Sequence, residues 1–495
     1  MTLNSSGPIS FGGSTTGQSI NLELGVSATA LASINSTSFR TLAGVASGQI
    51  SLSNFYGKSN ANNWIATSPF GSAYPTGTLI RGSYVYVFSR NSATALSYNS
   101  YAAKLALDAS SSPLTSVVCS TTYTYGLGNT YSTKSADTDG TYVYSTLTNY
   151  SNDLSSNVGF TKFSIVSSGS GFVARATVST AFDVLNTIYN PSDGIVYTIG
   201  AFNTGAYCCA RSPAVYAQDT SGTFNWFGRL TAGSSPYMYD ACVLSNSRVI
   251  GSDLNAYMYK IYNSNAVFWS FNSVAKATSI NRSKYNPLYT IIGGFNGNSY
   301  VTWGYFDLST TSSNTSTIAS GAISLVASGG PQSTFGKVNA TDDASGNVYL
   351  IAQLSATALL ITKFNSSNVV QWIRRITLGT NYSFYPNKLN IDCNGTNLVI
   401  SFSIYYSSTL TNNTVFVFNL PADGSKTNTY TVTAYAGSTT ITYATDSTYT
   451  QITGSLNNGI GLTYGASGYL SVSNGSTTGI GTTVSGQGTQ TFTSI

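Results

Sequence analysis

The chain has 495 residues, and only 7% of them are charged, compared with about 25% in ordinary soluble domains. Hydrophobic residues nevertheless make up 42%, with 36 Tyr and 23 Phe, so the composition predicts a packed chain and argues against intrinsic disorder. The net charge is only +5, and Lys and Arg do not cluster, which argues against nucleic acid as a partner.

Residues 1–60 form a polar leader whose only charged residues are Glu23, Arg40 and Lys58. Gly- and Ser-rich stretches flank residues 20–42, which are predicted to form one or two helical turns. The segment is too small and too polar to hold a core by itself, so we expect it to be flexible or to order against a larger partner. It lacks the pattern of a signal peptide, and no apolar run in the chain is long enough to predict membrane insertion.

Five short pieces of the leader occur in a fixed order: GPIS (7–10), GGSTTGQSIN (12–21), LG (24–25), RTLAG (40–44) and NFYGKS (54–59). In order and spacing they resemble a leader at the start of virion structural proteins of tailed bacteriophages, notably those of marine and cyanobacterial hosts. The resemblance implies a virion component, assembled in the bacterial host cytoplasm, whose first 60 residues dock onto other virion proteins. We assign the anchoring role to Ile20, Leu22, Leu24, Arg40, Leu42, Phe55 and Tyr56.

A pattern of three strand-like runs recurs between residues 61 and 435, and residues 342–376 show it most clearly. Their Val-, Ile-, Tyr- and Trp-rich runs, separated by Gly, Asn and Ser, predict antiparallel strands joined by hairpins. The first run occurs seven times, 39 to 60 residues apart, centred on Val85, Val143, Val196, Val249, Leu288, Val348 and Leu398. The second run carries a cation in five copies: Lys104, Lys162, Arg211, Lys260 and Lys363. The third run carries a tryptophan in three copies: Trp226, Trp269 and Trp372.

A unit of this length with about four short strands is typical of a β-propeller blade. Each blade has an apolar face that only its neighbour covers, so the array is stable when it closes into a ring. We therefore predict an all-β fold with a seven-bladed propeller over residues 61–435. Weaker runs at residues 134–138, 183–189 and 387–392 are predicted to be inner strands. Residues 62–68 and residues 429–435 compete as the outer strand of the last blade.

Two similar loops, LGNTYS at 127–132 and LGTNYS at 378–383, are predicted to connect an outer strand to the next inner strand. This placement directs their tyrosines toward one rim of the ring. Aromatic rings with hydroxyl tips suit glycan recognition, so the candidate contacts are Tyr123, Tyr125, Tyr131, Tyr382 and Tyr385. The alternative is that these rings wedge adjacent blades. The five strand cations are expected to point outward and discourage edge pairing, with a track for an anionic polymer as the alternative.

Residues 436–495 contain a single charge, Asp446, and have too few apolar residues for a core of their own. Runs at residues 439–443 and 469–472 are predicted to be strands of a small β-rich segment. We expect this segment to pair with the ring, with another subunit or with the leader of a neighbour.

The sequence lacks histidine, the commonest general base and metal ligand, and it has a single glutamate, Glu23. A glycosidase would need two aspartates facing each other across a cleft. Aspartates near glycine, as at residues 137–140 and 342–343, are predicted to cap turns, with calcium binding as the alternative. The five cysteines show no metal spacing and are predicted to be buried free thiols, made in a reducing cytosol. We predict no enzyme activity, no metal and no cofactor.

These observations predict a phage tail fibre or receptor-binding protein, in which the leader anchors the chain and the propeller rim contacts host surface glycan. One alternative is a head fibre, decoration or neck protein that uses the propeller as a packing module. A second alternative is a tail-borne polysaccharide depolymerase. A homo-oligomer, trimeric by analogy with phage fibres, is a further expectation, although no heptad or collagen-like stretch specifies three chains.

Overall fold

The structure, a computed structural model, describes residues 3–15, 17–24, 27–31, 33–43, 45, 47–56, 63–67, 73–91, 98–107, 116–121, 134, 136–149, 156–165, 170–178, 182–203, 211–229, 240–252, 257–262, 265–271, 275–296, 300–308, 316–325, 337–406, 409–434, 437–451, 462–468, 477–486 and 491–494. The leader contains α1 (Ile20–Glu23), α2 (Thr37–Ala43) and a 3₁₀ helix (Leu52–Phe55). All other regular elements described are β-strands.

Seven antiparallel sheets follow β1 (Trp64–Thr67), and each contributes one blade of a ring. Blade 1 is β2 (Ala73–Arg81), β3 (Tyr84–Asn91), β4 (Tyr98–Ala106) and β5 (Ser116–Thr121). Blade 2 is β6 (Ala136–Thr138), β7 (Tyr142–Asn149), β8 (Ser156–Ser164) and β9 (Ser170–Val178). Blade 3 is β10 (Phe182–Asn190), β11 (Ile195–Asn203), β12 (Arg211–Asp219) and β13 (Phe224–Arg229). Blade 4 is β14 (Asp240–Val243), β15 (Val249–Ser252), β16 (Tyr257–Tyr262) and β17 (Asn265–Phe271).

Blade 5 is β18 (Ala275–Arg282), β19 (Tyr289–Asn296), β20 (Tyr300–Asp307) and β21 (Ser316–Ser324). Blade 6 is β22 (Val338–Asp342), β23 (Val348–Gln353), β24 (Ala358–Phe364) and β25 (Val370–Leu378). Blade 7 is β26 (Tyr382–Cys393), β27 (Asn397–Tyr406) and β28 (Thr409–Pro421), completed by β1. The chain is therefore a seven-bladed β-propeller, as the repeats predict.

The N-terminal strand closes the ring, which decides between the two candidate outer strands. In blade 7, β1 pairs antiparallel with β28, so that Trp64 lies opposite Asn419. The Trp64 side chain is fully buried, and its Nε1 donates to the Leu107 carbonyl oxygen of blade 1 at 3.3 Å. The competing residues form a strand elsewhere, on the outer edge of blade 6. Both chain ends are therefore needed to complete one blade.

The hydrophobic core is divided among the junctions between blades, with a separate cluster at each of the seven. At the junction of blades 6 and 7, for example, Tyr349 and Ile361 pack against Ile391 and Phe402. Because neighbours cover both faces of a blade, central strands such as β23 are buried at every position. This arrangement explains why the inner strands lack the alternation that identifies a half-exposed strand.

The last strands of the chain form an outer belt around the ring: β29 (Asn428–Ala434), β30 (Gly437–Thr445), β31 (Thr450–Gln451), β32 (Leu462–Gly468), β33 (Thr477–Gly486) and β34 (Thr491–Ser494). The belt extends the outer edges of blades 6, 5 and 4 in that order, through β30, β31 and β32. Next, β33 pairs first with β9 and then with β5, which joins blades 2 and 1 in one sheet. Finally, β34 pairs with β1 of blade 7. Three partners are expected for this segment: the ring, another subunit or the leader of a neighbour. In the structure its strands pair with the ring.

The leader has a small core, which corrects the expectation that it is too polar to hold one. The rings of Phe11, Phe39 and Phe55 lie with centroids 6.0 to 6.5 Å apart. Phe39 and Phe55 are buried and pack with Leu3, Ile20 and the other members of one cluster, whereas Phe11 contacts both rings from the surface. Aromatic side chains bury a large area each, so these rings supply a core that the polar composition conceals.

The repeated cations and turn aspartates serve the blades. Lys104 lies over the ring of Tyr84 and Lys162 over that of Tyr142, with Nζ 4.1 and 4.3 Å from the ring centroids. Lys260 is only 1% exposed, which corrects the outward orientation expected for this one of the five cations. In blade 2, the Asp139 carboxylate accepts two turn N–H groups and the Tyr144 hydroxyl. Asp193 and Asp343 accept a tyrosine hydroxyl in the same way, in blades 3 and 6.

Candidate functional site

An axial channel runs between the innermost strands of the ring and has a volume of about 750 Å³. Residues from all seven innermost strands line it, and they belong mainly to the second half of each strand. We call the face where these strands begin the upper face, and the face where they end the lower face. The ends of β2, β10, β18 and β26 meet at the lower face. There, Arg81 of β2 lies over Tyr189 of β10, and the Ile80 N–H of β2 donates to Asp392 of β26.

Charged side chains cross the channel and link blades that are not neighbours. Lys134, which precedes β6 in blade 2, forms an ion pair of 3.1 Å with Asp240 in blade 4 and donates to the Ile280 carbonyl oxygen in blade 5. Lys284 of blade 5 pairs with Asp392 of blade 7. The carboxylate of each pair is buried, which strengthens its Coulomb interaction with the lysine, so these links hold the ring across its axis.

The carboxylates of the channel have protein donors on both oxygens. Asp137 accepts the N–H of Thr138 and, from blade 3, the N–H of Tyr189, at 2.7 and 3.0 Å. Asp240 accepts the Ala241 N–H and, from blade 5, the Ile280 N–H. Asp392 accepts from Ile80 on one oxygen, and from Thr341 and Lys284 on the other. Each of these aspartates therefore joins its own blade to the next.

Burial shifts the ionisation of several of these groups. It raises the pKa of Asp137 and lowers the pKa of Arg282. It also lowers the pKa of Lys337, which is 3% exposed, to about 8, although the nearby Asp240 opposes this shift. Burial raises the pKa of the Cys242 thiol to about 12, so this cysteine is an inert packing residue and not a nucleophile. Cys242 and Cys393 are both buried free thiols.

Three asparagines of consecutive blades form a row of amides around the channel. Asn281 Nδ2 donates to Asn339 Oδ1 at 3.0 Å, and Asn339 Nδ2 donates to Asn390 Oδ1 at 3.4 Å. Asn390 Nδ2 ends the row and is buried without a hydrogen-bond partner. Asn390 lines the channel, but this buried Nδ2 is not exposed to it.

A second candidate site is a tyrosine rim at the upper face, where blade 7 meets blade 1. Tyr385 stacks on Tyr74 of blade 1, with centroids 5.8 Å apart, and meets Tyr405 edge-on at 5.9 Å. Tyr382 and Tyr406 form a further edge-on pair at 5.5 Å, on the side of blade 7 that packs against blade 6. Lys388 Nζ lies 4.3 Å from the ring centroid of Tyr74. We call these six residues the tyrosine rim.

The rim offers hydroxyl groups that are free to bind a ligand. The Tyr382 hydroxyl donates to the Gly437 carbonyl oxygen at 3.4 Å. By contrast, the hydroxyls of Tyr385 and Tyr405 have no hydrogen-bond partner within the part of the chain that the structure describes. Burial raises the pKa of Tyr385, so its hydroxyl is a neutral donor and acceptor at physiological pH.

The predicted site residues are thus brought together only in part. Tyr382 and Tyr385 share β26 and belong to the tyrosine rim, whereas Tyr123, Tyr125 and Tyr131 lie outside the described residues. Sequence reasoning missed the other rim members, Tyr74, Lys388, Tyr405 and Tyr406. Lys388, Tyr405 and Tyr406 lie in β26 and β27 of blade 7, whereas Tyr74 lies in β2 of blade 1. The position of Tyr74 gives no local signal, because blades 1 and 7 meet only after the ring closes.

The predicted anchoring residues mainly fold the leader. Ile20, Leu42 and Phe55 are buried in its core, Leu24 packs against that core and Leu22 is half-buried. The Arg40 guanidinium donates within the leader to Asn35, Val45 and Gly48, and the Tyr56 hydroxyl donates to Gly7. The large hydrophobic side chains that the leader leaves exposed are Phe11, Leu31 and Leu52, together with Tyr56 of the predicted set.

The acidic and cysteine side chains do not assemble into a metal site. No group of three of them suited to a metal ion occurs among the residues placed by the structure. The turn aspartates Asp139 and Asp343 bind backbone N–H groups of their own turns, which is the capping role predicted for them. Over the same portion of the chain, no helix has the length and apolar character required to cross a membrane.

No protein-family model matches the chain, and no curated protein sequence matches it. Solved structures do match the chain, at low sequence identity. The Dos1 propeller is 11% identical over 59% of this chain and 89% of its own, with a TM-score of 0.29. The polysaccharide lyase Uly1 is 9% identical over 60% and 92%, with a TM-score of 0.33. A subtype N11 neuraminidase-like protein of a flat-faced bat isolate (H18N11) is 11% identical over 72% and 95%, with a TM-score of 0.30.

Proposed function

We propose that this chain is a structural protein of a tailed-phage particle, a tail fibre or receptor-binding protein that contacts host surface glycan through the tyrosine rim. The leader is proposed to dock on other virion proteins. The resemblance of residues 7–59 to phage leaders supports the virion assignment, and the geometry of the rim supports the glycan assignment.

The observation that carries the glycan proposal is the pair of unpartnered hydroxyls on Tyr385 and Tyr405. Their rings are fixed by stacking and edge-on contacts, so a ligand that binds there orders few side chains. A sugar ring presents an apolar face and a hydroxyl edge, and this rim presents the complementary pair of features.

The test removes the hydroxyl groups of these two tyrosines and keeps their aromatic rings. We expect the full chain to bind a subset of glycans on an array of bacterial surface polysaccharides, and the double variant Tyr385→Phe/Tyr405→Phe to lose at least tenfold in affinity. Two hydrogen bonds of about 1 kcal/mol each account for this loss. Tyr285→Phe, which changes an exposed tyrosine outside the rim, is the control. Wild-type affinity of the double variant would contradict the proposed role.

A specific observation also favours the packing-module alternative. The Tyr74–Tyr385 stack crosses from blade 1 to blade 7, as expected of rings that wedge adjacent blades. In that case the double phenylalanine variant keeps its stability, because the rings remain, and the full chain binds no host glycan. Adsorption separates the two functions: purified full chain that competes with phage for host cells supports the adhesin, and the lack of competition supports the packing module.

The depolymerase alternative requires a pair of aspartates with oxygen atoms available to substrate. In the channel, Asp137, Asp240 and Asp392 all bind protein donors on both oxygens. The non-enzymatic assignment stays a prediction. Release of reducing ends from host envelope polysaccharide by the purified chain would overturn it.

A further inference from the structure

The innermost strand of blade 7 departs from those of other blades where it passes the tyrosine rim. Three innermost strands, β2, β10 and β18, each contain one extra residue relative to the strand beside them. In β26, by contrast, the four residues 385–388 lie opposite a single residue of β27, Ser403. Bulges re-aim side chains and are over-represented next to active sites. This larger bulge contributes Tyr385 and Lys388 to the rim.

Asn387, inside the bulge, has a backbone conformation that most residues avoid. Its φ is 60°, in the left-handed region, where the Cβ atom lies too close to the following carbonyl oxygen. Asparagine is enriched in this region relative to other residues that carry a side chain. Such a conformation persists only where the surrounding structure over-determines it. A contact from outside the strand is therefore expected to hold Asn387 in place.

Gln353 of blade 6 supplies this contact. It is the last residue of β23 and is fully buried. Its Oε1 accepts the backbone N–H of Asn387 at 3.3 Å, and its Nε2 donates to the Ser355 carbonyl oxygen at 3.4 Å. Just before the bulge, the Phe384 N–H donates to the Ala356 carbonyl oxygen at 2.6 Å. Blade 6 therefore holds this segment of β26 at two points.

Blade 1 contacts the same segment from the other side. Tyr385 stacks on Tyr74 with centroids 5.8 Å apart, and Lys388 Nζ lies 4.3 Å from the centroid of the same ring. Opposite the bulge, the Ser403 hydroxyl donates to the carbonyl oxygen of Ala73, the residue before Tyr74. The position of Tyr385 therefore depends on a segment that blade 6 holds and that packs on blade 1.

We propose that Gln353 is a positioning residue of the tyrosine rim, which fixes the bulge of β26 in the conformation that holds Tyr385 against Tyr74. The inference rests on the proposed glycan-binding function of the rim. A site whose competent conformation is only partly populated binds its ligand more weakly, in proportion to that population. Loss of the Gln353 contact therefore weakens glycan binding, although Gln353 is not itself a member of the rim.

The first test reads the position of Tyr385 without any ligand. The full chain carries 3-fluorotyrosine at position 385, and its fluorine NMR signal is recorded. We expect Gln353→Leu, which keeps a similar side-chain volume but removes the amide, to shift this signal or to split it. The control is Gln371→Leu, which changes an exposed glutamine of β25 and should leave the signal unchanged.

A matched pair of variants covers the case in which Gln353→Leu does not fold. Asn387→Gly and Asn387→Ala remove the same side-chain amide, but only glycine adopts the left-handed conformation without a steric cost. The cost for alanine corresponds to about a five- to thirtyfold change in the population of that conformation. Asn387→Ala should therefore shift the fluorine signal and lower glycan affinity at least fivefold, whereas Asn387→Gly should keep both.

Glycan affinity is measured in parallel on an array of bacterial surface polysaccharides, and Gln353→Leu should bind at least fivefold more weakly than the full chain. If the full chain binds no glycan while the fluorine signal changes as described, the glycan function fails and the positioning of Tyr385 stands. The positioning role would be overturned by a signal in Gln353→Leu or Asn387→Ala that equals that of the full chain. Unchanged affinity of these variants for a glycan that the full chain binds would also overturn it.

Discussion

The axis and the outer edge of this ring are stabilised by different interactions. Around the axis, Lys134, Lys284 and Arg81 reach carboxylates of other blades. The outer belt carries one charge, Asp446, which pairs with Arg375 of β25 at 2.6 Å. The belt also buries apolar side chains in the core clusters of the ring, including Ile441 and Tyr443. The rest of its binding uses backbone hydrogen bonds. The axis is therefore held by charged side chains, whereas the edge is held by backbone pairing and a few buried apolar residues.

The largest effect is expected from removing the belt. A chain that ends at residue 427 leaves unpaired strand edges on six blades, and such edges promote aggregation. We expect the free energy of unfolding to fall by at least about 5 kcal/mol, since each lost backbone hydrogen bond contributes about 1 kcal/mol. Urea denaturation and light scattering measure both effects. Deletion of residues 1–58 is the control and should change ring stability by less than about 1 kcal/mol. A truncated ring as stable as the full chain would contradict the role of the belt.

A smaller effect is expected at the axis from Asp240→Ala. This change leaves Lys134 and Lys337 without their carboxylate, and breaking a buried ion pair in this way costs about 3 kcal/mol. The matched change in the belt is Asp446→Ala, which removes the partner of a more exposed arginine and should cost about 1 kcal/mol. Urea denaturation of both variants at one pH gives the comparison. Equal losses would show that axis and edge do not differ as described.

The pH dependence of the free energy of unfolding tests how much the burial of Lys337 costs. Its pKa is about 8 in the folded chain, compared with the ordinary value of 10.5 for an exposed lysine, so the unfolded state holds the proton more tightly. Burial of the ammonium therefore costs stability below pH 8, and this cost disappears as the pH rises toward 10.5. Lys337→Met should stabilise the fold at pH 7 by up to about 3.5 kcal/mol, because the pKa falls from 10.5 to about 8 and each unit is worth about 1.4 kcal/mol. Urea denaturation at pH 7 and about pH 10 measures the gain, which should shrink at the higher pH. A gain that is constant between the two conditions would refute the burial effect.

The smallest effect is expected at the repeated lysine and tyrosine contacts within the blades. Lys104 lies half-buried over Tyr84, and Lys104→Met removes its charge while it keeps most of the packing. We expect a loss of about 0.5 to 1 kcal/mol. Thermal unfolding measures it, with Arg40→Met in the leader as the control for ring stability. A loss above about 2 kcal/mol would mean that Lys104 has a role beyond the ring contact.

The repeats were predictable from sequence because each blade repeats its own local contacts. Tyr144 lies opposite Lys162, and Tyr349 opposite Lys363, in neighbouring strands of one sheet, so the spacing of these residue types is visible along the chain. The number of blades and most strand positions follow from this spacing. Closure by β1 was one of two options, because a four-residue strand carries little pattern.

The belt and the channel could not be predicted in the same way. Belt strands bind blade edges largely through backbone groups, and they bury few apolar side chains, such as Ile441 and Tyr443, so their Gly-, Ser- and Thr-rich sequence carries little pattern. In the channel, Lys134 and Ile280 are 146 positions apart, and no local pattern connects them. The leader core also escaped detection, because Phe11, Phe39 and Phe55 are far apart in a polar segment. Such contacts join single residues that are far apart in the chain, and a sequence pattern does not reveal them.

Amide hydrogen exchange of the full chain, followed by mass spectrometry, tests the closure of the ring most directly. Residues 64–67 lie between β28 and β34, so their amides should exchange orders of magnitude more slowly than those of an unfolded peptide. Removal of residues 487–495 should speed their exchange and leave β23 unchanged. Exchange of residues 64–67 at the rate of an unfolded peptide in the full chain would contradict a ring that is closed by both of its ends.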